Sequence, residues 1–263
     1  MDLQSMVERF PGEYSVYAKN LETGDVAAVN EHTERPSASL IKVPIMAEIF
    51  RRVEEEHLNL DETLTLRAED QVPGSGVLID LTPGLRLPLR DLTTLMITVS
   101  DNTATNLLID FVGVDSVNAL MRRLGLHHTA LERRLERIPV ERPRANRTSA
   151  YDMTRLMELL ARGELISVDV SRRMVRILER CQGPVSIASQ ASESDYIGAL
   201  PDVRVAHKTG SLSQASHDSG IVALSSGIYV VTIMSQGAPE SVLLKNIGRI
   251  GKDVLRQLSK RSR

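Results

Sequence analysis

Apolar positions recur along this chain in two rhythms. Near the start, Tyr14, Val16 and Ala18 alternate with polar neighbours, and Val26-Ala27-Ala28-Val29 follows after Glu22-Thr23-Gly24-Asp25, which predicts two strands joined by a turn. A short helix over residues 2–10, closed by Pro11-Gly12, precedes them. From Ser39 the spacing turns helical and runs to about His57; Pro44 crowds the preceding turn, so an irregular start is expected there. Turns follow at Pro73-Gly74-Ser75-Gly76 and Thr82-Pro83-Gly84. Leu92, Leu95, Met96 and Val99 share one helical face, and Leu107, Leu108 and Phe111 belong to a second helix. Asp115 suits the N-cap of a third over residues 117–124, with Gly125 as its stop. Residues 127–147 show no sustained period and read as a long loop. Thr148 or Ser149 caps a helix through Leu160, and Ser167 caps another that ends near Cys181. The strand rhythm then returns at residues 203–208, 220–224 and 228–234, before a last helix from Pro239-Glu240 with Leu243, Ile247, Ile250, Val254 and Leu258 on one face.

Strands at both ends and helices between them predict an α+β protein. The N-terminal hairpin and the three late strands form one five-stranded antiparallel sheet, flanked by the terminal helices, with an inserted all-helical lobe. The expected division of this single domain is residues 1–38 plus 195–263 for the sheet lobe and 39–194 for the helical one. A cleft between two such lobes is a common place for a ligand.

Composition narrows the partners. At 263 residues, 42% hydrophobic and 25% charged, the chain can bury a sizeable core, and a net charge of -2 with both signs interspersed gives no reason to expect nucleic acid. No run approaches the ~20 apolar residues of a membrane span. Met1 to Ser5 lack a basic start followed by an apolar run, so no export signal is expected in the chain as written; the compartment is cytoplasmic, or extracytoplasmic if a leader has been trimmed. Cys181 cannot form an intrachain disulfide or a metal site alone, and is expected as a buried thiol on an amphipathic helix. His127 and His128 are adjacent and would point apart, so no metal and no cofactor are expected, and the chain is read as a monomer.

Three short motifs carry the chemistry. Ser39-Leu40-Ile41-Lys42 places a hydroxyl and an amine three residues apart, on one face of a helix if one begins there. A buried lysine with a lowered pKa can take the serine's proton. Ser100-Asp101-Asn102 lies between two helices and Lys208-Thr209-Gly210-Ser211 ends a strand. Alone, each reads equally well as a cap or a turn; in this order they are the signature of active-site serine, penicillin-recognising enzymes. The chain resembles that family, the class A β-lactamases and penicillin-binding proteins, over nearly its whole length. The resemblance implies that Ser39 is the nucleophile, that Lys42 activates it, and that Ser100 passes a proton to the leaving nitrogen. It further implies that Asn102 orients Lys42 and bonds the substrate amide, that Lys208 and Thr209 receive a carboxylate, that Gly210 admits the ligand to the strand edge, and that the Ser39 and Ser211 N–H groups hold the oxyanion. The expected partner is a β-lactam or peptide-like small molecule.

The family's water-activating glutamate has no clear counterpart. Counting from Thr129 to Thr148 puts Leu135 in its place and Glu136 one residue later, and Arg147 replaces the loop-closing aspartate. Glu136 is the candidate base, with Glu132 and Glu141 as substitutes, or all three simply pair with nearby arginines. Three functions stay open: a β-lactamase, a D,D-peptidase-like amidase, and a penicillin-binding sensor or acyl trap.

Overall fold

The computed structural model describes residues 3–135, 145–189 and 204–260. In chain order its elements are α1 (Leu3–Val7), β1 (Glu13–Asn20), β2 (Val26–Val29), β3 (Arg35–Pro36), α2 (Lys42–Glu55), β4 (Thr63–Thr65), β5 (Arg86–Pro88), α3 (Leu89–Thr98), α4 (Asn102–Val112), α5 (Val114–Arg123), β6 (Arg147–Thr148), α6 (Ala150–Arg162), α7 (Val168–Leu178), β7 (Arg204–Leu212), β8 (Ala215–Leu224), β9 (Gly227–Gln236) and α8 (Glu240–Lys260). The main sheet is antiparallel and runs β2-β1-β9-β8-β7, so the chain's two ends meet where β1 pairs with β9. This is the α+β, five-stranded architecture expected from the alternating ends and helical middle.

Strand alternation gives the sheet two apolar faces. Val16, Val231 and Ile233 pack with Leu243, Ile247, Ile250 and Val254 of α8 on one side. Val230, Met234, Ile221 and Ala206 join the core of the helical region on the other. At the centre of that region lies α2, whose residues Lys42 to Phe50 are all buried. A helix enclosed on every side tolerates a lysine only where it has partners or loses its charge.

Several boundaries differ from expectation. The first helix is a single turn and a half, Leu3–Val7, because Arg9 and Phe10 continue in tighter turns rather than helix. Ser39 does not sit in the α-helix but in a 3-10 turn, Ala38–Ile41, with α2 starting only at Lys42. Pro44 therefore falls in the first turn of α2, where its missing N–H costs no intrahelical bond. Gly113, not Asp115, precedes α5, with Asp115 in its first turn. Cys181 lies beyond the end of α7 and is half-buried, not sealed in a helix face. Strand β7 continues through the third motif to Leu212, and β8 begins at Ala215, five residues before the apolar run that marked it.

That early stretch of β8 is polar and yet buried, and from His217 to Ser219 its side chains find partners inside the protein. Ser219 Oγ lies 2.7 Å from Thr232 Oγ1, and Asp218 Oδ1 lies 2.9 Å from His207 Nδ1. His217 Nε2 donates to the Pro36 carbonyl at 2.9 Å, while its Nδ1 accepts from the Ser235 N–H at 3.2 Å. Nδ1 also lies 2.7 Å from the Ser216 carbonyl; burial outweighs the two carbonyls and holds the His217 pKa down at about 4. In an unfolded chain the same ring takes a proton near pH 6.5. Unfolding then gains protons as the pH falls from about 6.5 to 4, so stability present above that window is lost through it, on the order of 3 kcal/mol. Urea denaturation at pH 7 and pH 4 measures it: His217→Gln, which keeps a donor for Pro36, should show a clearly shallower acid loss than the parent, and an identical loss would remove His217 as its source.

Candidate active site

The three motifs, far apart in sequence, converge on one cleft. Ala38, immediately before Ser39, has φ of +46°, and Ser100 has φ of +56°, both in the left-handed region that residues with a Cβ adopt rarely. These two kinks turn Ser39 and Ser100 out of their neighbouring helices towards each other's motif. β7 closes the third side. A Cβ placed on Gly210 would stand 3.1 Å from the Ala38 Cβ and 3.1 Å from the Ser39 backbone nitrogen, so a side chain there would push the strand a few tenths of an ångström away from Ser39.

Lys42 and Lys208 are both fully buried. Lys42 Nζ donates to the Ser100 carbonyl at 2.6 Å and to Asn102 Oδ1 at 2.9 Å, and lies 3.0 Å from Ser100 Oγ. Lys208 Nζ lies 3.2 Å from the same Ser100 Oγ and donates to the Thr209 carbonyl at 2.9 Å. Burial, and then the charge of Lys208, hold the Lys42 pKa well below the usual lysine value against a weaker pull from Asp101. Burial also lowers Lys208, opposed by Cys181 and Asp218. Asp101 does not pair with either lysine. Its Oδ1 caps α4 through the Ala104 N–H at 2.8 Å, and its Oδ2 accepts from the Val77 and Leu78 N–H groups at 2.6 and 2.9 Å.

Around Ser39 the cleft has two parts that share Ser39, Ser75 and Ser211. One, about 320 Å³, reaches Ser100, Lys208, Thr209 and Cys181; the other, about 270 Å³, reaches Asn102, Arg133 and Leu135. Ser39, Lys42, Ser100, Asn102, Lys208, Thr209, Gly210 and Ser211 thus gather where the sequence motifs imply. Lys42 differs in one respect: among the described residues its hydrogen bonds go to the second motif, not to Ser39. Glu136 and Glu141 lie outside the described residues. Glu132 does not line the cleft; Arg147 donates to its Oε1, and Arg147 Nε also reaches Glu34 Oε2 at 3.1 Å. Among the described residues no group of three or more His, Cys, Asp or Glu is placed to hold a metal ion. No helix among them is long and apolar enough to cross a membrane.

Sequence reasoning missed how the loop beside Ser39 is held. Three asparagine side chains stand in for a neighbouring strand. Asn118 bonds the Leu131 carbonyl and N–H at 2.8 and 2.9 Å, and Asn146 accepts from Glu132 and Arg133 at 2.7 and 3.0 Å. Asn106, buried in α4, donates to the Leu135 carbonyl at 2.8 Å and accepts from its N–H at 2.7 Å. The available signal was an asparagine in the middle of an apolar helix, where it has poor propensity and needs partners.

Comparison with known proteins places this geometry. The model of the β-lactamase enzyme family matches residues 1–258. A β-lactamase structure from Sphaerobacter thermophilus is 30% identical, covering 98% of this chain and 96% of that one, with a TM-score of 0.87. A leucine-to-glutamate variant of PBP-A, solved as an acyl-enzyme with penicillin G, is 28% identical over 97% and 95%, with a TM-score of 0.82. A β-lactamase of Bacteroides uniformis is 23% identical over 253 residues, 89% of this chain and 83% of its own length. The chain belongs to the β-lactamase enzyme family, a family of hydrolases.

Asn106→Ala should free both half-buried Leu135 backbone groups and cost about 1 to 3 kcal/mol of stability, the range for leaving hydrogen-bond partners unmade. Urea denaturation checks this; a loss under about 0.5 kcal/mol would mean the loop is held by other contacts.

Proposed function

We propose that this hydrolase opens the amide of a β-lactam, or of a peptide-like substrate of similar shape, through an ester on Ser39, and that the ester clears slowly. The observation that carries the first half is the shared hydroxyl: Ser100 Oγ lies between Lys42 Nζ and Lys208 Nζ. A neutral amine has two N–H donors and one lone pair. The Ser100 carbonyl and Asn102 Oδ1 take the two donors of Lys42, which leaves its lone pair for a hydroxyl proton.

In the proposed reaction Ser39 Oγ attacks the carbonyl carbon as its proton moves to Lys42. The carbonyl electrons shift to an oxyanion held by the Ser39 and Ser211 N–H groups. When the carbon–nitrogen bond breaks, the nitrogen takes the Ser100 proton, which is made good from the Lys42 side of the network. Lys208 and Thr209 hold the substrate's carboxylate, and Asn102 its side-chain amide. Water must then break the ester.

A second observation favours slow turnover. Leu135, fixed by Asn106, lines the cleft, the count along the loop puts it where the family carries its glutamate, and Glu132 is engaged by Arg147. We assign the water-activating step to Glu136, one residue beyond that position. The PBP-A acyl-enzyme with penicillin G lends the ester intermediate support by likeness.

Intact-mass spectrometry with benzylpenicillin tests each half. The parent should gain one adduct that fades over time, and Ser39→Ala should gain none; labelling of that variant would displace Ser39. Leu135→Glu should shorten the adduct's lifetime about tenfold or more, and Glu136→Gln should lengthen it, since a positioned base contributes about 10²- to 10⁴-fold. Lifetimes unchanged in both would remove this loop from deacylation.

A further inference from the structure

On the same face of β7 that carries Lys208, two and four residues back along the strand, Ala206 and Arg204 border a separate groove. It measures about 500 Å³, within the ~300 to 1,000 Å³ of ordinary small-molecule sites, and lies between α6–α7 and the strands β7–β9. The register explains its floor. Arg204 pairs with Ala223 and Ala206 with Ile221, while Ala223 pairs across with Ile228, so all five residues occupy one sheet face. The sheet residues Ala206 and Ile221 and Leu160 of α6 are buried beneath it, and Val168 and Ile228 stand 52% and 40% exposed at its mouth.

The rim is cationic. Arg172 and Arg176, one turn apart on α7, line it together with Arg204 and Arg162. Arg162 is engaged by Glu158 at 3.0 Å. Among the described residues Arg172, Arg176 and Arg204 have no ion-pair partner, and the acidic side chain lining the groove is Glu179. Three unmatched guanidinium groups over an apolar floor suit one chemistry: a planar anion attached to a hydrocarbon chain. Guanidinium binds carboxylate through two parallel hydrogen bonds, and the floor removes the chain from water.

We propose that this groove binds a single-chain carboxylate amphiphile, its chain on the Leu160–Ala206–Ile221 floor and its carboxylate against Arg172, Arg176 and Arg204. None of these residues belongs to the Ser39 cleft, so the site stands whether or not the acyl-enzyme reading does.

Calorimetric titration of the full chain with decanoate, kept below micelle formation, tests it. Decanoate should bind saturably at one per chain, with decanol and acetate each weaker by about tenfold or more, because each supplies half of the recognition. The double variant Arg172→Glu, Arg176→Glu should lose about tenfold or more in decanoate affinity at an unchanged melting temperature. Ala223→Leu, which fills the floor and leaves the arginines in place, should weaken decanoate as well. No saturable binding, equal binding of decanol, or full affinity in the double variant would overturn the proposal. So would arginine-dependent association with anionic phospholipid vesicles in the absence of decanoate binding, which would make the face a membrane contact instead.

Discussion

Two lysines buried around one hydroxyl hold the centre of this protein. Lys42 and Lys208 are fully buried and meet at one hydroxyl, that of Ser100. Each would lose solvation as an ammonium, and each raises the cost of the other's charge. Asp101 relieves the conflict only in part: both its oxygens are taken by backbone N–H groups, and its pull on Lys42 is weaker than burial and the Lys208 charge. For Lys208 burial is opposed by Cys181 and Asp218, and its Nζ donates to the Thr209 carbonyl. Burial and the Lys208 charge hold the Lys42 pKa well below the ordinary lysine value, which favours the neutral amine.

The fold supplies this conflict through rigidity. Enclosure of α2 on all sides strips Lys42 of water, and pairing of β7 with β8 does the same for Lys208. The left-handed kinks at Ala38 and Ser100 cost on the order of 1 to 3 kcal/mol each. That cost is borne by packing elsewhere, in particular by the interior helix and by the His217 bond that ties β8 to the chain just before Ser39. The same logic fixes the loop beside the nucleophile, where Asn106, Asn118 and Asn146 give a strandless backbone its hydrogen bonds.

Much of this was legible in the sequence where apolar spacing or motif chemistry was strong. The sheet strands, the long helices and the three motifs all carry local signals, and the family resemblance named the site. What stayed hidden has physical causes. Pro44 signalled an irregular helix start, which the 3-10 turn Ala38–Ile41 bears out, but neither alanine nor serine announces a positive φ, so the form of that start could not be read. Residues 216–219 are polar and carry no apolar strand signal, yet they form a buried strand in which the side chains of His217, Asp218 and Ser219 find partners on other elements. Cys181 was placed on a helix face because α7 is strongly amphipathic, but the helix stops at Leu178 and the thiol reaches the cleft. Spacing alone put Leu135 at the glutamate's count; that its backbone is held by Asn106 at the cleft wall required the fold.

The most direct test of the shared-charge centre is a pH titration of the protein carrying lysine labelled with carbon-13 at Cε, followed by NMR, with Lys42→Arg used to assign the Lys42 signal. One lysine, absent from the variant's spectrum, should titrate well below the others, and Lys208→Gln should move it upward by removing the neighbouring charge. If Lys42 titrates with the surface lysines near 10.4, it is an ordinary cation at neutral pH, and the arrangement described here does not generate the base that opens the substrate.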